Sequence, residues 1–441
     1  MKYTTIKNPR NGCALHGALM TASAIRGVTP IVHSNAGCAV QNYLSRNFAA
    51  RLGGFEVPGS SVLEKQVIFG GGSRLREQIK NTVKVLDGSL YIVLNSCESA
   101  MVGDDVPGMA KEAAERKEPV ICARVAGFHG ASHHGYSRTM WDLIDGAASL
   151  WISPGEERER RGRRVNVFGI APGANAHFRG DLLELRRILR NLGVEANIFF
   201  GPGTDAGAAE LAKAPSAVLD INFSKWGGFV CEHMEEKFGT PKLEFDFVPV
   251  GFEATREMVL AIAERISPED GVIDVFLRGE RDRFEYFMEL TDEYRAAAIG
   301  ARAALVGTES VVAGVGKFLS EHLGATVAAS VITDLPASHG ASAETDNPRY
   351  SADSEEIGDI LRRSNPGIIL GSPLEAPIAR ELDVPLLEIS PPAWPKLTLS
   401  KSYLGIPGAV SLTEDYISAL VAGEAARNRE MALEIRRRAG K

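Results

Sequence analysis

The sequence predicts an α/β protein built from three Rossmann-like units with parallel sheets. Three observations carry this expectation. Apolar runs of strand length alternate with amphipathic helical stretches along the chain, the rhythm of parallel sheets covered by helices. Several of the strand-like runs end in glycine or a small polar residue just before the next helix, the turn chemistry of a strand-to-helix crossover. Finally, 441 residues make about three units at roughly 150 residues each.

In the first unit, expected over 1–155, VTPIVHS (28–34) reads as a buried strand followed by a loop. SVLEKQVIFGGG (61–72) reads as a second strand ending in glycines, and SRLREQIKNTVKVL (73–86) as a helix capped by Ser73 with Glu77 near its first turn. SLYIVLNSC (89–97) is an apolar strand running into Cys97; a helix and the strand PVICARV (119–125) follow. The charged stretch SPGEERERRGRR (153–164) reads as a solvated linker. The second unit, expected over 164–273, resumes with the strand RVNVFGIAPG (164–173) and the amphipathic helix DLLELRRILRNLG (181–193), closed by Gly193. VEANIFFGPG and SAVLDINFS (216–224) are its next strands, with the helix VCEHMEEKFG after them and KLEFDFVPVG as a further strand. The third unit, expected over 274–441, begins with the long helical stretch 274–300. It continues strand–helix–strand through 301–334, then DSEEIGDILRRSNPGIILGS (353–372) and VPLLEIS. No short-period repeat is present, which excludes a solenoid.

Composition excludes several function classes. The formal net charge is −7 and the charged fraction 24%, so neither nucleic acid nor an anionic membrane is an expected partner. No apolar run reaches the roughly 18–20 residues of a membrane span. The first residues lack the apolar stretch of a signal peptide, so the expected location is the cytoplasm. There cysteines stay reduced and serve as metal ligands or catalytic thiols rather than disulfides.

The motifs narrow the chemistry. The glycine turns GIAPGANAHFRGD and VGTESVVAGVG are neither a full GxGxxG nor a P-loop, so any ATP is used by a partner protein. No GxSxG elbow supports a serine hydrolase. His129, His133 and His134 sit in GFHGASHHG without a helical HExxH frame or a carboxylate partner, and read as a polar loop rather than a zinc site. The sharpest signal is cysteine. Only five are present. Cys13, Cys38 and Cys97 lie in NGCALHG, NAGCAVQ and NSCESAMVGDD, each a glycine-bearing or strand-edge loop. Such loops converge at the carboxyl edge of a parallel sheet, and thiolates suit iron–sulfur clusters. Three independent buried thiols would satisfy the spacing equally. Cys122, mid-strand, and Cys231, in a helix, read as inert core residues. No catalytic residue is identified by sequence.

These segments resemble component 1 of nitrogenase and its relatives. CALHGALMTASAIRGVTPIVHSNAGC is similar to that family's first two cluster cysteines with the helix and strand between them. VLNSCESAMVGDDV is similar to the third cysteine followed by the family's GDD signature. VIFGGGSRLREQI, GFHGASHHG, HMEEKFGTP, VPVGFEATREMV, RGERDRF and YLGIPGAVSLTED resemble further landmarks, in order, over almost the whole chain. The resemblance implies three Rossmann-like domains and an α/β-type heterodimer doubled to an α2β2 heterotetramer. It makes Cys13, Cys38 and Cys97 ligands of an iron–sulfur cluster shared with a homologous α-type subunit, of the [8Fe-7S] P-cluster type or a [4Fe-4S] cluster. It also implies a separate homodimeric ATP-dependent iron–sulfur reductase as electron donor. Two departures mark the chain as β-type. LDINFSKWGG has Phe223 and Ser224 where the α-type has its cofactor cysteine, and the loop LLEISPPAWPKLTLSKSYLG lacks the α-type histidine. The full cysteine set sets the chain apart from the β-type assembly scaffold. Its compact length and the wording HSNAGC point to a nitrogenase-like enzyme, with methylthio-alkane reductase the first expectation. A true nitrogenase β subunit, an assembly scaffold and a tetrapyrrole-reducing relative are the alternatives.

Overall fold

The computed structural model describes residues 7, 9–40, 57–153, 162–201, 207–291, 294–334, 348–392 and 398–439. Three sheets carry the architecture. The first contains β1 (Val28–His33), β2 (Leu90–Asn95) and β3 (Val120–Ala123) in the order β1-β2-β3. The second contains β4 (Arg164–Phe168), β5 (Glu195–Asn197), β6 (Leu219–Asn222) and β7 (Lys242–Glu244) in the order β5-β4-β6-β7. The third contains β8 (Arg302–Gly307), β9 (Thr326–Ile332), β10 (Arg349–Tyr350), β11 (Ile368–Gly371) and β12 (Leu386–Glu388) in the order β10-β9-β8-β11-β12.

All pairings within these sheets are parallel. Parallel strands are buried on both faces and so read as continuous apolar runs; every residue of β2 and of β6 is buried. One apolar core runs through all three units, from Leu15 and Leu94 through Phe168 and Val230 to Leu305 and Leu412.

A buried carboxylate ties distant segments together. Asp181, on the helix Phe178–Asn191, accepts at Oδ1 from Ser402 Oγ (2.6 Å) and from the backbone N–H groups of Tyr403 (2.8 Å) and Leu404 (3.2 Å). Its Oδ2 accepts from Asn175 Nδ2 (2.6 Å). Full burial raises its pKa to about 6 against these hydrogen bonds, which lower it.

Several boundaries differ from expectation. Segment 61–72 is not a strand: Glu64–Phe69 is a helix, and a second helix, Gly72–Val85, starts from Gly71 rather than from a Ser73 cap. The expected strand from Val194 narrows to Glu195–Asn197, and KLEFDFVPVG contributes only Lys242–Glu244. The long helix of the third unit is Val272–Met288. The expected linker, 153–164, lies mostly outside the described residues, as do positions 393–397 of the loop that lacks histidine.

Candidate iron–sulfur site at the edge of the first sheet

Strand order positions the thiols. Because β1, β2 and β3 are parallel neighbours, their carboxyl ends form one edge, the usual place for a site in such sheets. β1 ends at His33, and a helical turn at 36–40 carries Cys38. β2 ends at Asn95, and Cys97 opens the helix Cys97–Val102. β3 leads to the short turn Gly127–His129. Asn95 Oδ1 accepts from Val125 N–H (2.8 Å), which pins the chain leaving β3 to the end of β2.

Cys13 reaches the same edge from another direction. It is the N-cap of the helix Ala14–Ala24 and bridges to Ala131, with Ala14 N–H donating to Gly130 O (2.8 Å). That helix lies hard against the helix Ser132–Trp151. A Cβ on Gly17 would sit 1.9 Å from Ser132 O, and one on Gly135 would sit 1.9 Å from Ala14 O. Only glycine permits this approach.

Two of the thiols meet at Gly127. A Cβ there would lie 3.0 Å from Cys97 Sγ and 3.2 Å from Cys13 Sγ. Cys38 belongs to the same group: burial raises its pKa, and Cys13, Cys97 and Glu98 raise it further. Its backbone N–H donates to Asn35 Oδ1 (3.1 Å), and Asn35 N–H donates to Glu98 Oε2 (3.1 Å), so the residue beside Cys97 sets the loop that holds Cys38. Cys13 is exposed, and Cys38 and Cys97 are half-buried. Among the described residues, no three His, Cys, Asp or Glu side chains converge tightly enough to hold one metal ion. Thiolates of an iron–sulfur cluster bond different irons and stand farther apart than ligands of a single ion. Three grouped thiols, a side-chain-free space at Gly127 between two of them, and an open outer edge fit such a cluster completed from outside the chain.

A buried network fixes this edge from behind. His33 Nε2 lies 2.9 Å from Asp104 Oδ2, and His33 Nδ1 lies 2.9 Å from Ser60 Oγ. Asp104, of the GDD stretch, also accepts from Gly71 N–H (2.6 Å). The distances resemble a hydrolytic triad, yet His33 and Ser60 are both fully enclosed, so the array joins β1 to the loops around Cys97 and Cys38 and meets no substrate. Burial lowers the pKa of His33, opposed by Asp104.

Other expectations are settled locally. Ser96 and Ser99 form a reciprocal capping box: Ser99 N–H donates to Ser96 Oγ (3.3 Å) and Ser96 N–H to Ser99 Oγ (3.0 Å). Their hydroxyls point to each other and to Ser96 O rather than to sulfur. Cys122 sits in β3 with its pKa raised by burial to about 11, and Cys231 is fully enclosed in the helix Lys225–Phe238, where burial raises its pKa well above the ordinary thiol value. His129 and His134 are neighbours (ring centroids 6.4 Å apart), while His133 faces Trp226 (6.2 Å). These histidines therefore do not converge.

Sequence reasoning passed over Gly127, Glu98 and the His33–Asp104 pair. The GDD stretch and the histidine before Cys38 were the available signals for the pair; Gly127 gives none, because its role appears only when three strand ends meet.

Exposed apolar side chains lie on the elements that carry the thiols and on the helix packed against that of Cys97. Phe69 (80% exposed), Met101 (79% exposed), Leu63, Ile68, Phe128 and Val40 all present their side chains to the outside. The helix Glu64–Phe69 buries none of its residues. A patch of this kind marks an interaction surface.

Comparison with known proteins agrees with this geometry. The chain is 26% identical to the nitrogenase molybdenum-iron protein beta chain of Methanothermobacter thermautotrophicus, over 92% of each chain. It is 25% identical to one of the subunits of light-independent protochlorophyllide reductase from Trichormus variabilis, over 86% of this chain and 76% of that one. Its fold matches the solved structure "Nitrogenase Cp1 at pH 6.5" with a TM-score of 0.79 and 18% identity, over 96% of this chain and 94% of the other. Residues 13–421 match the family Nitrogenase component 1 type Oxidoreductase. The chain, with its three α/β units and its edge of three thiols, belongs to the nitrogenase component 1 type oxidoreductase family.

Proposed function

We propose that this chain is the β-type subunit of a nitrogenase-like reductase. Cys13, Cys38 and Cys97 hold one half of an iron–sulfur cluster, of the P-cluster type or a [4Fe-4S] cluster, at a seam with a homologous α-type subunit in an α2β2 heterotetramer. The observation that carries this reading is the meeting of Cys13 and Cys97 at Gly127, with Cys38 electrostatically coupled to both, on an edge that bears exposed apolar side chains. Large exposed apolar side chains beside an exposed thiol and two half-buried ones are what a chain presents to a partner that completes the site.

When bound, the cluster supplies one-electron redox chemistry at a potential set by burial and by hydrogen bonds to sulfur. The chain's own residues do the holding. Gly127 leaves the space, Asn35 and Glu98 set the Cys38 loop, and the His33–Asp104 pair fixes the strand ends. The electron donor is a homodimeric ATP-dependent iron–sulfur protein, because this chain carries no phosphate-binding loop.

The reduction site lies in the partner. Phe223, at the position where the α-type has its cofactor thiol, stacks on Phe245 (5.3 Å) in the core. Ser224 caps the helix Lys225–Phe238 through Trp226 N–H (3.3 Å) and donates to Gly169 O (2.9 Å). Both side chains are fully engaged in the fold.

The units are assigned to 1–155, 164–273 and 274–441, and the working compartment to the cytoplasm. Among the described residues, no helix is long and apolar enough to cross a membrane. For the substrate, the wording of the HSNAGC segment favours a methylthio-alkane, cleaved reductively at carbon–sulfur. The relatives leave two competing readings, dinitrogen and a tetrapyrrole.

One assay separates these readings: the complex with its α-type partner, its reductase, ATP and dithionite, given each substrate in turn. Methane, ethane or ethylene from methylthio substrates supports the proposal. Ammonia from dinitrogen, or a reduced macrocycle, with no hydrocarbon would overturn the substrate assignment.

A further inference from the structure

A carboxylate stands among the thiols. Glu98 follows Cys97 directly and lies in the first turn of the helix Cys97–Val102. An acidic side chain there ordinarily answers the N–H groups of its own helix. In this helix Ser96 Oγ already accepts from Ser99 N–H (3.3 Å). Glu98 instead reaches across to the loop after β1, where its Oε2 accepts from Asn35 N–H (3.1 Å). Half-buried, it spans the strand ends that carry Cys97 and Cys38, and its charge acts on the Cys38 sulfur.

Donors beside the thiols are turned away from sulfur. Cys38 N–H is engaged with Asn35 Oδ1 (3.1 Å), and Ala14 N–H, next to Cys13, with Gly130 O (2.8 Å). The Ser96 and Ser99 hydroxyls, on either side of Cys97, are engaged with each other and with Ser96 O.

The potential of an iron–sulfur cluster depends on its net charge, its burial and the hydrogen bonds to its sulfurs. Donors on sulfur stabilise the reduced, more negative form, whereas a nearby carboxylate destabilises it. This edge turns the donors aside and adds the carboxylate, and both shift a cluster toward low potential. A residue needed only to hold the Cys38 loop would have to offer Asn35 N–H an oxygen, which glutamine does as well. What glutamate adds is charge.

We infer that the Glu98 carboxylate holds low the reduction potential of the cluster bound by Cys13, Cys38 and Cys97. This rests on the cluster reading above and goes beyond it, because it names the residue that keeps the relayed electrons at low potential.

The test is an equilibrium redox titration of the iron-loaded complex with its α-type partner. Dithionite supplies the electrons, mediators fix the poise, and electron paramagnetic resonance reads the reduced fraction. Iron and sulfide are measured on the same samples. Glu98→Gln keeps the acceptor for Asn35 N–H and removes the charge. At the parent's midpoint its ratio of reduced to oxidised cluster should rise about tenfold, a shift of about 59 mV for one electron, with iron at the parent level. Glu98→Asp, which keeps the charge, should stay within about threefold of the parent ratio, less than half that shift. Glu98→Met, uncharged and of similar length, should shift as Glu98→Gln does, and serves if the glutamine variant fails to assemble. An iron-loaded Gln or Met variant with the parent's ratio, or an Asp variant shifted as far as the Gln variant, would overturn the inference. Loss of iron in Gln and Met variants alike would also overturn it, since Glu98 would then be a clamp required for loading. A parent complex without iron would instead contradict the cluster reading itself.

Discussion

Gly127 carries no side chain, yet two sulfurs turn on that fact. It is not one of the chain's positive-φ glycines, so alanine fits its backbone; what alanine does not fit is the space beside Cys97 and Cys13. We predict that Gly127→Ala costs the fold only about 1 kcal/mol, the low end for overpacking, because the neighbouring cysteine side chains at 3.0–3.2 Å need shift only slightly, but lowers the iron content of the assembled complex to half or less. Iron analysis beside a melting curve checks this; full iron would show that the space is not used.

The thiols themselves divide by environment. In the metal-free chain, the exposed Cys13 should alkylate with iodoacetamide ahead of Cys122 and Cys231, whose burial suppresses the thiolate. Peptide mass spectrometry gives the order, and early labelling of Cys231 would contradict the structure.

At the scale of elements, the helix Ala14–Ala24 and the helix Ser132–Trp151 hold Cys13 in register by backbone contact at Gly17 and Gly135. Gly135→Ala drives a methyl into the carbonyl of Ala14, and nothing flexible stands in its way to yield. Overpacking of this kind costs about 1–3 kcal/mol. The melting temperature should fall by several degrees, and iron should fall with it as Cys13 shifts; an unchanged melting temperature would show that the helices separate freely.

Elements also show where the sequence misleads. The run 61–72 reads as a strand because Val67, Ile68 and Phe69 are apolar and followed by glycines. It folds as a helix whose apolar side chains face outward. On the proposed reading, an apolar stretch that meets a partner chain looks, in one chain, like core. That Cys38 and Cys97 share one sheet edge was legible for a simpler reason. Cys38 and Cys97 each follow a strand, and adjacent parallel strands bring their ends together without long-range information. The role of Gly127 was not legible, because it depends on Cys97 and Cys13, about 30 and about 110 positions away, which only the fold brings near.

At the scale of the whole molecule, Asp181 couples the second unit to the segment at 402–404, and it does so as a buried acid. Its pKa is about 6 in the folded chain against 3.8 ordinarily. The folded state therefore holds this proton more tightly than the unfolded state does. The contribution is complete below pH 4 and is lost as pH rises toward about 6. Histidines 16 and 133, held near 4 by burial, act in the opposite direction, so the total slope is mixed. The comparison with Asp181→Asn isolates the one group. We predict that the variant loses stability relative to the parent at pH 4.5 and that the gap narrows by pH 7, in paired melts. A gap that widens with pH would mean that Asp181 is ionised at low pH.

Assembly is the larger consequence on the proposed reading, in which three thiols on an open edge are half of a site. The measurement that bears most directly on this is iron and sulfide content of the anaerobically purified complex with its α-type partner, compared among the parent, Cys97→Ala and Cys231→Ala. The account predicts a clear loss of iron and sulfide with Cys97→Ala, and parent-level content with Cys231→Ala. Parent-level iron and sulfide in Cys97→Ala would contradict it.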